Sequence, residues 1–159
     1  MSVNVKYAQG YPDPSTFKQP LAIYRGNPMR IITGSFQLAV GDDAASKVFL
    51  GKIASSAILL PIGLVTHEAL AGLTSGSIGF DSAPGANAAN ALINAQAFNA
   101  AATKNPLMSV AAADLAKRVW QLAGYATDPA RELDLVFTCN TAVTGAGTVH
   151  FALPFVDLR

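Results

Sequence analysis

The feature that most constrains the fold of this chain is a period-two alternation of apolar residues near its end. Apolar residues occupy every second position from 133 to 139 and again from 149 to 155. This period is typical of a strand that buries one face, whereas a helix shows a period near 3.6. Gly145 and Gly147 separate the two segments, so the sequence predicts two strands that pair back on each other. The predicted inward residues are Leu133, Leu135, Phe137 and Cys139, then Val149, Phe151, Leu153 and Phe155.

Four earlier segments also have the composition of strands, and they span 30–40, 47–53, 57–66 and 75–81. Pro61, inside the third segment, indicates a bulge or an edge position, because proline cannot donate to a strand ladder. The predicted strands are short, are separated by Gly and Pro, and do not alternate with helices, which favours an antiparallel sandwich or barrel. The long connection before the fifth strand suits a crossing between two sheets. We therefore expect a mainly β, jelly-roll-like antiparallel β-sandwich.

One segment has the pattern of an α-helix, inserted before the last pair of strands at about 110–123. Leu115, Val119 and Leu122 form an apolar stripe at the spacing i, i+4 and i+7. Gly124 follows at the position where a residue with a left-handed backbone commonly ends a helix.

The first 29 residues differ from the rest and suggest an extended N-terminal arm, followed by the sandwich domain over 30–159. Four prolines in this arm oppose regular helices and central strands. Its aromatic residues argue against a simply disordered tail, since disordered tails are poor in them. The arm could lay its rings on another protein surface or fold back over its own domain, and the sequence leaves both open.

Only 13% of the residues are charged, about half of the ~25% that is usual for a soluble domain. The surface must therefore be covered by small and neutral polar residues, or by other protein. Such a composition is common in subunits that work inside an assembly. A compact domain with an Ala-rich surface is the alternative.

Several partner classes are disfavoured by the same composition. The net charge is +1 without a run of Lys or Arg, so we expect no nucleic-acid partner. The longest strongly apolar stretch, 57–65, is shorter than the ~20 residues that a membrane helix needs, so we expect no membrane partner. The single cysteine, Cys139, excludes an internal disulfide and reads as a small buried apolar residue.

The sequence lacks the residue patterns that support chemistry. His67 and His150 are the only histidines, and neither has Cys or carboxylate residues at ligand spacing, so we expect no metal and no cofactor. There is no Gly-x-Ser-x-Gly motif, and the Gly-rich stretch 72–79 lacks the lysine and helix of a phosphate-binding loop. We therefore expect no catalytic residues and no enzymatic activity.

Aromatic and arginine side chains often carry the energy of protein interfaces. Those in and beside the N-terminal arm are therefore the predicted contact residues. They are Tyr7, Tyr11, Phe17, Tyr24, Arg25 and Arg30.

Five short motifs carry a resemblance to a known family. The most specific is 116–124, which reads Ala-Lys-Arg-Val-Trp-Gln-Leu-Ala-Gly and is followed by Asp128-Pro129. The others are 42–51, 54–58, 77–81 and 146–149. With these motifs the chain resembles, over about residues 30–157, the cement or decoration proteins that bind the outside of tailed-bacteriophage capsids.

The resemblance implies a jelly-roll-like sandwich without catalysis. It also implies a homodimer or homotrimer that stabilises neighbouring major capsid subunits on the outside of a virion assembled in the host cytoplasm. The first 29 residues lie outside the resemblance. An alternative is a carbohydrate-binding jelly-roll module of a phage fibre or host-attachment structure. That function would need exposed aromatics at one end of the sandwich, and Trp120, the only tryptophan, is predicted to be buried.

Overall fold

The computed structural model of the protein describes residues 5–7, 29–81 and 83–157. In this part of the chain the helical elements are a four-residue α-helix, α1 (Val119–Leu122), and two 3₁₀ turns (Ala88–Asn90 and Ala112–Asp114). The strands are β1 (Val5–Tyr7), β2 (Met29–Leu38), β3 (Lys47–Ala54), β4 (Ile58–Leu59), β5 (Leu64–His67), β6 (Gly76–Phe80), β7 (Ile93–Gln96), β8 (Ala102–Lys104), β9 (Glu132–Cys139) and β10 (Gly147–Val156).

The strands form two sheets. Sheet A has the order β1-β3-β9-β6-β7, and sheet B has the order β2-β10-β5-β8. The short strand β4 pairs with the end of β10, on the same side of β10 as β5. Neighbouring strands are antiparallel except for β1, which runs parallel to β3. Without β1 and β4, the pairs are nested: β2 with β10, β3 with β9, β5 with β8 and β6 with β7. This is the topology of a jelly roll, and the predicted fold class is confirmed.

The core lies between the two sheets and is built from the alternating residues that the sequence singled out. All eight predicted inward residues of β9 and β10 are buried. The predicted pairing of these two strands with each other is wrong: β9 lies between β3 and β6 in sheet A, and β10 lies between β2 and β5 in sheet B, so the connection through Gly145 and Gly147 crosses from one sheet to the other. The ring of Phe137 lies at the centre, 5.2 Å from Phe36 and 5.1 Å edge-on from Phe98. Such offset aromatic pairs add to the energy of apolar burial. Cys139 is buried in this core as a thiol, as predicted.

The predicted helix over 110–123 is wrong in its extent, because α1 occupies only Val119–Leu122. Arg118 has an extended backbone (φ −70°, ψ 156°), which stops a helix from continuing through it. The backbone N–H of Arg118 donates to Oε1 of Gln121 at 2.9 Å, so the helix starts afresh with a side-chain cap. Gly124, with φ of +81°, confirms the predicted left-handed residue after the helix.

The apolar stripe of this segment is explained by tertiary contacts. The N–H of Val119 donates to the carbonyl of Ala57, and the N–H of Trp120 donates to that of Ser55. In an uninterrupted helix these two N–H groups would donate to carbonyls of the preceding helical turn. Here they connect α1 to the turn after β3. Val119 is fully buried in the core and Leu122 packs partly against it. In the described part of the chain no helix has the length and apolarity to cross a membrane.

The predicted third strand is split into β4 and β5 by a turn at residues 60–63. The N–H of Leu60 donates to the carbonyl of Pro154 in β10, and Pro154 has no N–H to return. A Cβ on Gly63 would stand 2.7 Å from the carbonyl oxygen of Ala152 and 3.0 Å from Cδ of Pro154. The irregularity that the sequence predicted at Pro61 is thus a turn, and Pro154 on the facing strand favours it.

Candidate interaction surface

The outer face of sheet B is formed by residues of alternate phase on β2, β5, β8 and β10, and we call it the neutral face. None of its residues is Asp, Glu, Lys or Arg. They are Met29, Ile31, Thr33, Ser35, Gln37, Leu64, Thr66, Thr103, Thr148, His150, Ala152, Pro154 and Val156. Their neighbours in the opposite phase, such as Phe36, Val65 and Phe151, are buried in the core. The period of two therefore directs this second set away from the core.

One row across the neutral face is polar. The strand register aligns Ser35 with His150, His150 with Thr66, and Thr66 with Thr103. The hydroxyls of Thr66 and Thr103 are 3.1 Å apart and bond to each other. This row therefore offers hydroxyl groups and an exposed imidazole, which can hydrogen-bond a partner without bringing a fixed charge.

The neighbouring end of the neutral face is apolar. Met29, Ile31 and Leu64 are 55%, 52% and 54% exposed. Ala152, beside Leu64, is partly exposed, whereas Pro154, opposite Ile31, is buried. Single exposed apolar residues are ordinary on protein surfaces, but a face that combines several of them with no charge is a candidate interaction surface.

Sheet A has an outer face of a different kind, because its charges pair with one another. Nζ of Lys47 donates to Oδ1 of Asp81 at 2.6 Å, and Nζ of Lys52 lies 3.3 Å from Oδ1 of Asp134. The two lysines are an odd number of residues apart on β3. The shift in register between Phe49 and Gly51 is a bulge, and it keeps both lysines on the same outer face.

The outer face of sheet A is also partly covered by the chain itself. The 3₁₀ turn Ala88–Asn90 packs on β6, where a Cβ on Gly79 would overlap the carbonyl of Ala88. Val136 lies in the outward phase of β9, opposite Gly79, and is nevertheless fully buried. The two sheets thus differ in kind: one outer face is charged and covered in part, the other is uncharged.

Most of the predicted contact residues lie outside the described part of the chain, so their role in contacts stays a prediction. Tyr11, Phe17, Tyr24 and Arg25 lie outside the described residues. The backbone of Tyr7 is in β1, in register with Phe49 of β3, so residues 5–7 lie along the edge of their own domain.

Arg30 lies at the start of β2, opposite Phe155 and in the inward phase. Its Nη1 is 3.8 Å from Oδ2 of Asp157. Arg30 therefore does not belong to the neutral face, and its role in contacts stays a prediction. The neutral face was not predicted from the sequence, although a signal existed. The outward-facing residues, which are every second residue from 29 to 37 and from 148 to 156, include no Asp, Glu, Lys or Arg.

The two histidines occupy opposite environments. His150 is exposed on the neutral face, whereas His67 is 3% exposed and its ring lies 4.6 Å from that of Phe98. Burial lowers the pKa of His67, a hydrogen bond with the Glu68 carbonyl opposes this, and the positive charge of Lys104 lowers it further. Nε2 of His67 has no hydrogen-bond partner in the described part of the protein. His67 is thus a neutral residue of the core.

The structure offers little that resembles a reactive centre. Within 29–81 and 83–157 no three His, Cys, Asp or Glu residues come together as a metal site. Trp120, which the sequence predicted to be buried, is half-buried and points its indole Nε1 inward, with no hydrogen-bond partner among the described residues. Neither observation favours a catalytic or carbohydrate-binding centre.

Comparison with known proteins gives structural likeness without sequence likeness. No protein-family model matches the chain, and no curated protein sequence matches it. A chain of the capsid of Ralstonia phage GP4 matches 98% of this chain and 99% of its own length, with a TM-score of 0.59 and 10% identity. A chain of the cyanophage Pam1 capsid asymmetric unit matches 91% of this chain and 99% of its own length, with a TM-score of 0.51 and 15% identity. At these identities the likeness establishes a common fold.

Proposed function

We propose that this chain is a non-enzymatic structural protein of a phage virion. It binds the outside of the capsid and holds neighbouring major capsid subunits together. The observation that carries the proposal is that the fold is similar, over almost the whole of each chain, to chains from two phage capsids. Because one fold can serve many functions, the proposal rests on this likeness together with the surface of the molecule.

The physical requirements of cementing agree with the surface of the molecule. A protein that ties capsid subunits together needs contact surfaces that lose water at low cost, and buried apolar area contributes about 25 cal/mol per Å² before the costs of association. The neutral face lacks the charges whose desolvation would oppose such contacts. Repeated equivalent contacts around a symmetric shell, or within a homodimer or homotrimer on it, would add avidity.

Co-sedimentation with capsids tests the proposal. Undecorated heads are assembled from the major capsid protein encoded in the same genome, mixed with the purified chain and pelleted. We expect the chain to pellet with the heads at a saturating, fixed ratio, and we expect decorated heads to release their DNA at a higher temperature than bare heads. A chain that stays in the supernatant contradicts the proposal. Specific binding on a glycan array by such a chain would support the carbohydrate-binding alternative.

A further inference from the structure

We infer that the neutral face is the surface that lies flat on the coat shell, with the outer face of sheet A turned to solvent. This inference rests on the proposed function and names the surface and the orientation that the function would use. Its occupant is an uncharged, nearly flat surface of the assembled coat protein.

The distribution of charge carries the orientation. The cores of protein interfaces are depleted in charged residues, since a charge that is buried without a partner is costly. The outward residues of sheet B include no Asp, Glu, Lys or Arg, whereas Lys47, Lys52 and Asp134 lie on sheet A. Binding through sheet A would strip water from its ion pairs, which are partly exposed. Binding through sheet B removes water only from hydroxyls, an amide, an imidazole and apolar side chains.

The chemistry of the face defines its partner. The apolar end around Ile31 and Leu64 requires apolar side chains opposite it, because polar groups placed there would lose water without gaining a hydrogen bond. The polar row around His150 and Thr66 requires neutral donors and acceptors. A strongly charged partner, such as nucleic acid, would find no counter-charge on this face.

The size of the face favours a lattice over an isolated pair of copies. Strands about 4.8 Å apart with a rise of about 3.3 Å per residue give sheet B a projected area of about 400 Å². Stable pairs usually bury about 800 Å² on each partner. One such contact is therefore weak, and a shell that presents many equivalent sites to linked copies supplies the missing affinity.

Matched charge insertions test the orientation. Thr33→Glu and Gln37→Glu place a carboxylate on the neutral face, and Asn94→Asp introduces a carboxylate at an exposed position of β7 in sheet A. All three variants are first checked for an unchanged thermal midpoint; Gln37 is exposed, so Q37E is the variant expected to fold without difficulty. Binding is measured by titrating each full-length variant against undecorated heads.

We expect Thr33→Glu and Gln37→Glu to weaken binding at least tenfold and Asn94→Asp to change it less than twofold. If the wild-type chain binds heads and the neutral-face variants bind equally well, the inference is overturned while the proposed function survives. If the wild-type chain does not bind heads at all, the proposed function fails, and this inference with it. If the variants instead abolish self-association in sedimentation velocity and leave head binding intact, the face joins copies of this chain, which also overturns the inference.

Discussion

Gly63 lies directly against Pro154: a Cβ added to Gly63 would stand 3.0 Å from Cδ of the proline ring. Pro154 has no N–H to donate to a neighbouring strand. At this position along β10 the neighbouring strand is interrupted between β4 and β5. The turn at residues 60–63 is thus packed closely alongside β10, between β4 and β5.

Gly63→Ala should lower the free energy of unfolding by about 1–3 kcal/mol, because the new methyl group overlaps backbone and ring atoms in a packed region. Urea denaturation measures this change. The control is Ile62→Ala in the same turn, where the side chain is 67% exposed and the change should stay within about 0.5 kcal/mol. Equal midpoints for Gly63→Ala and the wild type would show that the close packing does not exist.

The pH dependence of stability should depend on His67. Burial lowers the pKa of His67 in the folded chain, while the unfolded chain titrates near the usual value of about 6.5. Below about pH 6.5 the unfolded chain takes up a proton that the folded chain resists, so stability should be full above this pH and fall as the pH drops. Urea denaturation between pH 8 and pH 5 measures the slope.

His67→Leu should flatten this slope, whatever it does to stability at pH 8. His150→Asn is the matched control, because it removes the other histidine of the chain from an exposed position on the neutral face. A wild-type chain that gains stability on acidification would contradict the sign of the effect.

Removing the cap of α1 should destabilise its end of the sandwich. Gln121→Ala deletes the acceptor that receives the N–H of Arg118, and loss of such a cap costs about 0.5–2 kcal/mol. Trp120, the only tryptophan, lies within α1 and reports on it by fluorescence. We expect a red-shifted emission and a lower urea midpoint. An unchanged spectrum and midpoint would mean that the bonds from Val119 and Trp120 to the turn after β3 hold α1 alone.

The ion pair between Lys47 and Asp81 should contribute little to stability although it is short. The side chain of Lys47 is 38% exposed, and such pairs are worth less than about 1 kcal/mol. Lys47→Gln should therefore reduce the free energy of unfolding by less than that amount. The reduction should shrink further when NaCl is raised from 0.05 to 0.5 M, since salt screens exposed charges. A loss of several kcal/mol would contradict this view.

The sequence predicted the parts of the fold that depend on period-two alternation. The inward residues of β9 and β10 come directly from that pattern, because each strand buries one face. The helix was predicted too long because the stripe Leu115, Val119 and Leu122 is produced by tertiary contacts, and no pattern within the segment marks the extended backbone at Arg118.

Two short strands were missed for a related reason. β7 and β8 have four and three residues, which are mostly exposed. They are fixed by pairing with β6 and β5, so their own residues carry little of the signal. Similarly, the neutral face emerges only when β2 and β10 are placed side by side. In the sequence, the uncharged outward residues of β2 and those of β10 are more than a hundred residues apart, so nothing links them before the strands are paired.

A reconstruction of heads incubated with this chain, by electron cryomicroscopy, tests the central claim most directly. We expect density for the jelly roll on the outer surface of the shell, with sheet B toward the coat protein and Lys47 and Lys52 of sheet A toward solvent. Heads whose outer surface stays bare after incubation with a large molar excess of the chain would contradict this result.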